Sequence, residues 1–382
     1  MHNRGGASLV EHFSEMEDPR IERSKRHPLM DIVVIAICGV ICGVICGADD
    51  WVAIADFGRA KQAWLGQFLE LPNGIPSHDT FGRVFARIDP EQFQACFRQW
   101  VQAVFKLTKG QVVAVDGKQL CGSYDNATGK AAIQMVSAWA NRNQLVLGQV
   151  KVHEKSNEIP AIPALLKLLD VRGCIVTVDA MGCQKAIAKQ IVEGGADYVL
   201  ALKENQEQLF NEVRDLFRYA EESGFTPVVT DYHLSNSKHH GRFERRRCWT
   251  IAEPELLRVL RDHEEWANLH TLVMVQAERT TPQQTTLETR FFISSLPPQA
   301  APLLAAVRGH WGIENRLHWV LDVAFGEDRC RVRKDHAPHN LAILRHIALN
   351  LLKQESSAKV GLKTKRLRAG WDEAYLLQVL SS

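Results

Sequence analysis

The stretch Val112-Val-Ala-Val-Asp-Gly117 decides how this chain is expected to fold. Four apolar residues followed by a turn-forming Asp-Gly pair predict a short buried strand that ends at Asp116. Before this stretch, apolar residues recur at every third or fourth position, which is the period of a helix. The strand therefore marks the predicted boundary between an all-helical N-terminal domain, residues 1–107, and a core domain, residues 108–355.

The core continues with the pattern of an α/β fold. Segments 131–140 and 145–152 flank a short polar turn and predict a hairpin. Helices and strands then alternate, with helices at 159–169 and 184–193 and strands at 174–178 and 198–202. Three antiparallel strands followed by right-handed helical crossovers describe a mixed sheet covered by helices, as in ribonuclease-H-like proteins.

A change of character follows the next helix, at 204–222. Residues 224–297 predict a β-rich insertion in the core, with strands at 248–251, 271–276 and 285–294. Helices resume at 300–325 and at 340–352. Residues 356–382 form a basic C-terminal segment, whose lysines and arginines are interpreted as an exposed tail.

In the N-terminal domain, helices are predicted at 32–45, 51–69 and 90–105, and a further helix begins at Asp79 behind the cap residue Ser77. Residues 32–48 carry no charge but contain three glycines and barely reach spanning length, so they predict a buried core helix rather than a membrane span. The N-terminus lacks the features of a secretory signal.

Composition limits the choice of function without fixing it. The chain has 382 residues and a net charge of only +2, so any surface for nucleic acid must arise from the distribution of charges. Nine cysteines, an odd number without regular spacing, predict reduced thiols. A cytoplasmic location is expected.

Three carboxylates are the candidate catalytic and metal-binding residues. Asp116 and Asp179 each follow an apolar strand, where open sheets present functional groups. Glu314 lies within a mostly apolar helix stripe, where a carboxylate is costly without a partner. If the three converge, oxygen ligands favour two Mg²⁺ or Mn²⁺ ions, which could promote phosphoryl displacement. Alternatively, Asp116 forms a turn, Asp179 caps a helix, and Glu314 pairs with an arginine.

Several sequence blocks resemble one family closely. Asp179-Ala-Met-Gly-Cys-Gln184 and Ile313-Glu-Asn-Arg-Leu-His-Trp-Val-Leu-Asp322 are similar to signature blocks of ISAs-type insertion-sequence transposases, which include the H-repeat-associated proteins. Further blocks that resemble this family lie at 74–85, 154–159, 198–206, 240–246, 290–295 and 346–350. The resemblance covers nearly the whole chain.

The resemblance implies a DDE transposase that cuts the ends of an insertion sequence and joins them to target DNA. Asp116, Asp179 and Glu314 would hold two Mg²⁺ or Mn²⁺ ions, and the partners would be double-stranded DNA and, on it, a second copy of the chain. Cys121 departs from the basic residue usual in the family. A catalytically inactive, transposase-derived DNA-binding protein is the alternative.

Candidate DNA contacts fall into two groups. The stretch 238–247 contains five basic residues, among them Arg242, Arg245 and Arg246, beside an aromatic ring. The second group surrounds the acids and comprises Lys118, Lys203, Arg308, His310, Trp311 and Arg316. The competing interpretations are a solvated loop for the first group and core packing for the tryptophan.

The sequence contains two other candidate metal sites. His310, Glu314 and His318 share a helix face at four-residue spacing, which would suit zinc, although no zincin motif is present. Cys38, Cys42 and Cys46 share another face. In so apolar a run, these cysteines are interpreted as small packing residues.

Overall fold

The computed structural model describes residues 9–46, 50–105, 107–124, 129, 131–153, 156–225, 228–239 and 241–382. Side chains are described for all of these except 44–46 and 239. Part of the block 154–159, His240 of the basic stretch and the side chain of Cys46 therefore lie outside the described residues.

The N-terminal region is helical, as predicted. Its helices are α1 (Leu9–Phe13), α2 (Leu29–Cys46), α3 (Trp51–Ala60), α4 (Gln62–Leu65), α5 (His78–Arg87) and α6 (Pro90–Val104). Ser77 caps α5 as predicted, with its side chain accepting from the Thr80 amide. The single helix predicted over 51–69 is wrong, since the chain divides into α3 and α4 at Lys61.

Helix α2 is buried inside the protein. It packs against α3 and against two C-terminal helices, α13 (Ala337–Gln354) and α14 (Leu362–Trp371). In the described part of the chain, no helix combines the length and apolar character needed to cross a membrane. The prediction of a core helix is confirmed by this burial over the part of 32–48 whose side chains are described, residues 32–43.

One nine-stranded sheet forms the centre of the molecule, in the order β3-β2-β1-β4-β5-β9-β8-β7-β6. Among the first five strands in this order, β2 pairs antiparallel with both β3 and β1, and β4 pairs parallel with both β1 and β5. This is the ribonuclease-H-like arrangement. Strand bounds are β1 (Val112–Leu120), β2 (Ile133–Ala140), β3 (Leu145–Lys151), β4 (Ile175–Val178), β5 (Asp197–Leu202), β6 (Asp231–His239), β7 (Arg242–Ile251), β8 (Thr271–Thr280) and β9 (Thr285–Ser294).

Strand β1 is longer than predicted. It continues through Asp116 and Gly117 to Leu120, because β2 pairs with it along its whole length, down to the pair Leu120–Ile133. Asp116 is therefore the point at which β1 loses its other neighbour: the pairing with β4 ends at Val115 and Val178. The prediction that β1 stops at Asp116 is wrong, and the tertiary pairing explains why.

The β-rich segment extends the same sheet. Strand β9 pairs antiparallel with β5, and β8, β7 and β6 follow outward. The predicted strand near 248–251 is the end of the much longer β7, and β6 was not predicted. The basic stretch 238–247, interpreted as a loop, is largely the hairpin of β6 and β7.

Helices cover both faces of the sheet. After β3 these are α7 (Glu158–Lys167), α8 (Lys185–Glu193), α9 (Glu207–Glu222), α10 (Pro254–Arg258), α11 (Ala300–Ile313), α12 (Trp319–Phe325), α13, α14 and α15 (Glu373–Leu380). The long helix predicted over 300–325 consists of α11 and α12, joined by a π-helical turn at Glu314–His318.

The C-terminal basic segment is not an exposed tail, and that interpretation is wrong. Its residues form α14, and both Lys365 and Arg366 are buried. The Arg366 guanidinium donates to the backbone carbonyls of Val40 and Ile41 in α2. Arg366 thus holds the C-terminal helices to the N-terminal helix α2, whereas Lys365 donates to the carbonyls of Leu352 and Glu355.

Candidate functional site

Asp116 and Asp179 are brought together by the register of two parallel strands. Val115 of β1 pairs with Val178 of β4, and each aspartate is the next residue. Beyond this pair β4 ends, whereas β1 continues along β2. The Asp179 carboxylate accepts from the Gly182 amide at 3.2 Å, and Asp116 accepts from the Gly117 amide at 2.9 Å.

Glu314 reaches this point from the π-helical turn. Its Oε2 lies 3.2 Å from His318 Nδ1, which is itself 3.7 Å from Asp116 Oδ2. Asp116, Glu314 and His318 form a cluster in which one ligand atom from each residue lies within 4.8 Å of the other two. Among the described residues, Asp179 is not a member of that cluster, so the three acids do not meet at a single point.

A large cavity of about 1090 Å³ opens beside these residues. Asp116, Asp179 and Glu314 all line it. Its other polar lining residues include Lys203, Asn205, Glu288, Arg290 and His310. The three predicted acids therefore line one cavity, and the negative charges of Asp179 and Glu314 both act on Asp116.

The surroundings of Asp116 disfavour its ionised form. Burial raises the pKa of Asp116 to about 7, with further contributions from the negative charges of Asp179, Glu158 and Glu314, against the hydrogen bond from Gly117. A cation bound here would relieve that repulsion and favour the ionised carboxylates. The donor set, mainly carboxylate oxygens, suits the divalent Mg²⁺ or Mn²⁺ ions that the sequence predicts.

Glu158 is a fourth acid at the site, and it was not predicted. It is buried at the start of α7, where Gln134 of β2 donates to its carboxylate. Its carboxylate lies against Gly117, so close that a Cβ at that position would stand 1.9 Å from Oε1. Burial raises the pKa of Glu158, and the charge of Asp179 adds to the effect.

His310 is separated from the acidic cluster. Its Nδ1 hydrogen-bonds the Thr177 hydroxyl at 3.0 Å, and burial lowers the pKa of the ring. The zinc alternative of His310, Glu314 and His318 is therefore not assembled, because the two histidines face different partners. His318 is the one that approaches the acids, and burial lowers its pKa as well.

The candidate DNA contacts around the acids occupy different places. Lys203 is exposed and lines the cavity. Trp311 also lines it, 45% exposed, with the Arg290 guanidinium 4.7 Å from its ring centre. Arg308 and Arg316 are exposed on the same helix but are not among the residues that line the cavity.

Lys118 is placed in an ion cluster. Its ammonium lies 2.7 Å from Asp322, 3.1 Å from Asp328 and 3.8 Å from Glu327. Burial alone would lower the pKa of Lys118, but these acids outweigh it and raise the pKa. This arrangement gives Lys118 a structural role within the described residues.

The arginines of the hairpin lie in ion pairs along β7. Glu244 pairs with Arg242 at 2.9 Å and with Arg246, and Glu278 on β8 lies 3.9 Å from Arg245. The side chains of Arg242 and Arg245 keep 45% and 39% of their surface exposed. These two remain available to an additional anionic partner.

Three contributors to the site were missed as such by sequence reasoning. Glu158 lies within a block that was matched to the transposases, but no role was given to it. His318 was predicted only as part of a zinc site with His310 and Glu314. Arg290 lies in a strand whose pairing with β8 could not be foreseen, and only the fold brings it to Trp311.

Comparison with known families gives two matches along the chain. Residues 10–101 match a domain described as DDE_Tnp_1-associated, and residues 95–351 match the transposase DDE domain. The second match contains Asp116, Asp179 and Glu314.

Individual relatives cover almost the entire chain. A protein of Escherichia coli O157:H7 named "Putative transposase YncI" is 39% identical over 98% of this chain and 95% of its own length. The "H repeat-associated putative transposase YhhI" of Escherichia coli K12 is 38% identical over 98% of this chain and 97% of its own length. A solved piggyBac transposase synaptic complex with hairpin DNA covers 98% of this chain and 80% of its own, at 13% identity and a TM-score of 0.37.

Proposed function

Since the chain belongs to the family of transposases with a DDE domain, we propose that it is the transposase of an insertion sequence. In this proposal, it cuts DNA at the ends of its element and joins those ends to target DNA. Asp116, Asp179 and Glu314 are the catalytic residues. The observation that carries the proposal is that these three acids, more than sixty residues apart along the chain, line one cavity.

Asp116, Asp179 and Glu314 would hold two Mg²⁺ or Mn²⁺ ions. Glu314 and Asp116 each offer an atom to the 4.8 Å cluster, and Asp179 follows the strand residue that pairs with the residue before Asp116. Bound ions would supply activation of the attacking oxygen and neutralisation of the leaving oxygen. The chain itself supplies a fixed frame, since Asp116 and Asp179 extend from strands in the centre of a sheet.

DNA would enter by the open side of the cavity. Lys203 is placed to contact a phosphate there, and Trp311 with Arg290 offers a flat aromatic and guanidinium surface on which a base could stack. Arg242 and Arg245 on the hairpin would contact the backbone further out, and Arg308 and Arg316 on the helix surface would do the same. A homodimer assembled on two element ends is part of this proposal.

The test is cleavage of a DNA duplex that carries the ends of the element. Purified wild type should nick it at those ends when Mg²⁺ is added, and Asp179→Asn should reduce the rate by at least about a hundredfold. Asp170→Asn, an exposed aspartate paired with Arg172, is the matched control and should cut at the wild-type rate. Equal rates for wild type and Asp179→Asn would overturn the proposal.

The alternative of an inactive, DNA-binding relative is decided by that cleavage assay together with a measurement of DNA binding during a Mg²⁺ titration. Such a protein would bind the element ends, and its binding would not change when Mg²⁺ is titrated in. The presence of all three acids in one cavity favours the enzyme.

A further inference from the structure

We infer that His318 is a metal ligand, so that one of the two ion positions is formed by Asp116, Glu314 and the imidazole of His318. This inference rests on the proposed function and adds a nitrogen ligand to the acidic triad. Two ligand atoms about 2.1 Å from one cation lie about 3 Å apart when they meet it at right angles. The separations of Nδ1 from Glu314 Oε2, 3.2 Å, and from Asp116 Oδ2, 3.7 Å, are of that size.

The π-helical turn explains why the histidine and the glutamate point the same way. At its end, the Trp319 amide donates to the carbonyl of Glu314, five residues earlier. This wider turn holds Glu314 and His318, four residues apart, on the face that meets Asp116. Such insertions in helices recur at functional sites.

The far side of the imidazole is also arranged as a metal-binding histidine requires. A ligating histidine usually donates its second ring N–H to a carboxylate or another acceptor, which fixes the tautomer. His318 is 5% exposed, and it borders a small cavity together with Gln149 and Glu327. His318 Nε2, Gln149 Oε1 and Glu327 Oε2 are all buried and, in the described part of the chain, have no hydrogen-bond partner.

That small cavity supplies the matching acceptors. Its volume is about 10 Å³, close to what a single water needs. A proton on Nε2 can thus be directed through one water to Glu327 or Gln149, and the lone pair of Nδ1 is then left facing Asp116 and Glu314. Buried polar atoms normally find partners, so this set of atoms is consistent with a tautomer fixed for ligation.

A purely structural role for His318 is the competing explanation. In that case the imidazole would donate a hydrogen bond from Nδ1 to Glu314 and orient it without touching the ion. The two roles differ in whether nitrogen is bonded to the metal. A measurement of activity does not separate the two roles, because a substitution of His318 would lower activity in either case.

Pulsed EPR of Mn²⁺ bound to the full-length protein separates them. Electron spin echo modulation from a directly bonded imidazole nitrogen is expected in wild type, and labelling the histidines with ¹⁵N should shift it to the ¹⁵N frequencies. His318→Gln should abolish the nitrogen signal and weaken Mn²⁺ binding by at least about tenfold, the lower end of what even an outer-shell partner contributes. His310→Gln, the matched control, should retain the signal, since His310 contacts Thr177.

The inference is overturned if Mn²⁺ binds to the wild-type protein without histidine nitrogen modulation, or if His318→Gln keeps the full signal. The isotope-labelled wild type gives this answer even if His318→Gln does not fold. DNA cleavage that depends on Asp179, together with a missing nitrogen signal, would leave the proposed function standing. Failure of the wild type to bind Mn²⁺ at all would overturn both.

Discussion

Asp116 and Asp179 stand next to each other where strands β1 and β4 part, each one residue beyond the paired Val115 and Val178. Burial, with the nearby negative charge of Asp179, raises the pKa of Asp116 to about 7. Between about pH 4 and 7, the native state therefore keeps a proton on Asp116 that the unfolded chain, whose pKa has the ordinary value of 3.8, has already released. Ionising Asp116 costs stability over that range, and the full cost is present above pH 7.

Asp116→Asn should consequently stabilise the metal-free protein at pH 8. We expect the melting temperature of the variant to exceed that of wild type without metal, and the difference to shrink as the pH falls from 7 towards 4. Saturating Mn²⁺ should reverse the order, because it stabilises only the protein that binds it. Calorimetric melting curves with chelator and with Mn²⁺ test this; a wild type that is the more stable form in chelator at pH 8 would contradict it.

The sequence predicted the positions of these two aspartates better than the length of the strand. The run Val112–Val115 and the following Asp-Gly pair do mark the place where β4 stops pairing, but β2 carries β1 onward to Leu120. A local turn signal was overridden by long-range pairing, which no local pattern contains. Strand β6 was missed for a related reason, because its mostly polar residues have little apolar alternation.

The candidate site was predictable only in part. The family resemblance identified Asp116, Asp179 and Glu314 as a set, whereas the contact of Glu314 with His318 depends on a π-helical turn that ordinary helical spacing does not reveal. For Lys118 and Arg366, the sequence did not reveal which groups surround the side chain. Lys118 was predicted to contact DNA and Arg366 to lie in an exposed tail, yet nearby acids engage Lys118 and backbone carbonyls engage Arg366.

The burial of Arg366 leads to a stability prediction. Arg366→Met should leave the carbonyl contacts of Val40 and Ile41 unmade, and we expect it to lower the free energy of unfolding by about 2–4 kcal/mol. Lys363→Met, an exposed position in the same helix, should change it by less than about 0.5 kcal/mol. Urea unfolding measures both, and equal midpoints for the two variants would show that α14 is not held by Arg366.

Glu355 forms a second anchor of the C-terminus, and its effect depends on pH. Burial would raise its pKa, but hydrogen bonds from Ser357 and Tyr375 and the ammonium of Lys365 outweigh this and lower the pKa to about 2. The stability it contributes is therefore complete above about pH 4.5 and is lost as the pH falls towards 2.

Glu355→Gln should cost about 2 kcal/mol at pH 7, a figure reduced for solvent screening. The difference between wild type and variant should fade between pH 4.5 and 2, which unfolding curves at several pH values will show. A difference that stays constant over this range would mean that the charge of Glu355 is not what stabilises the contact.

Gly122 permits a close approach between two loops. A Cβ at this position would stand 2.1 Å from the Cys330 carbonyl oxygen and 2.9 Å from that of Asp328, and backbone atoms cannot move aside cheaply. We expect Gly122→Ala to lower the free energy of unfolding by about 2–4 kcal/mol. Gly361→Ala, where the added methyl group meets nothing within 4 Å, is the control. Equal stabilities of the two variants in thermal melts would refute this packing argument.

Counting the bound divalent ions shows whether the acids of the cavity hold two of them. Mn²⁺ should be titrated calorimetrically into the full-length protein bound to DNA that carries the element ends. We predict two ions per wild-type chain, at most one for Asp179→Asn, and a loss of affinity at both positions for Asp116→Asn. Binding of the same number of ions with unchanged affinity in all three proteins would contradict the account.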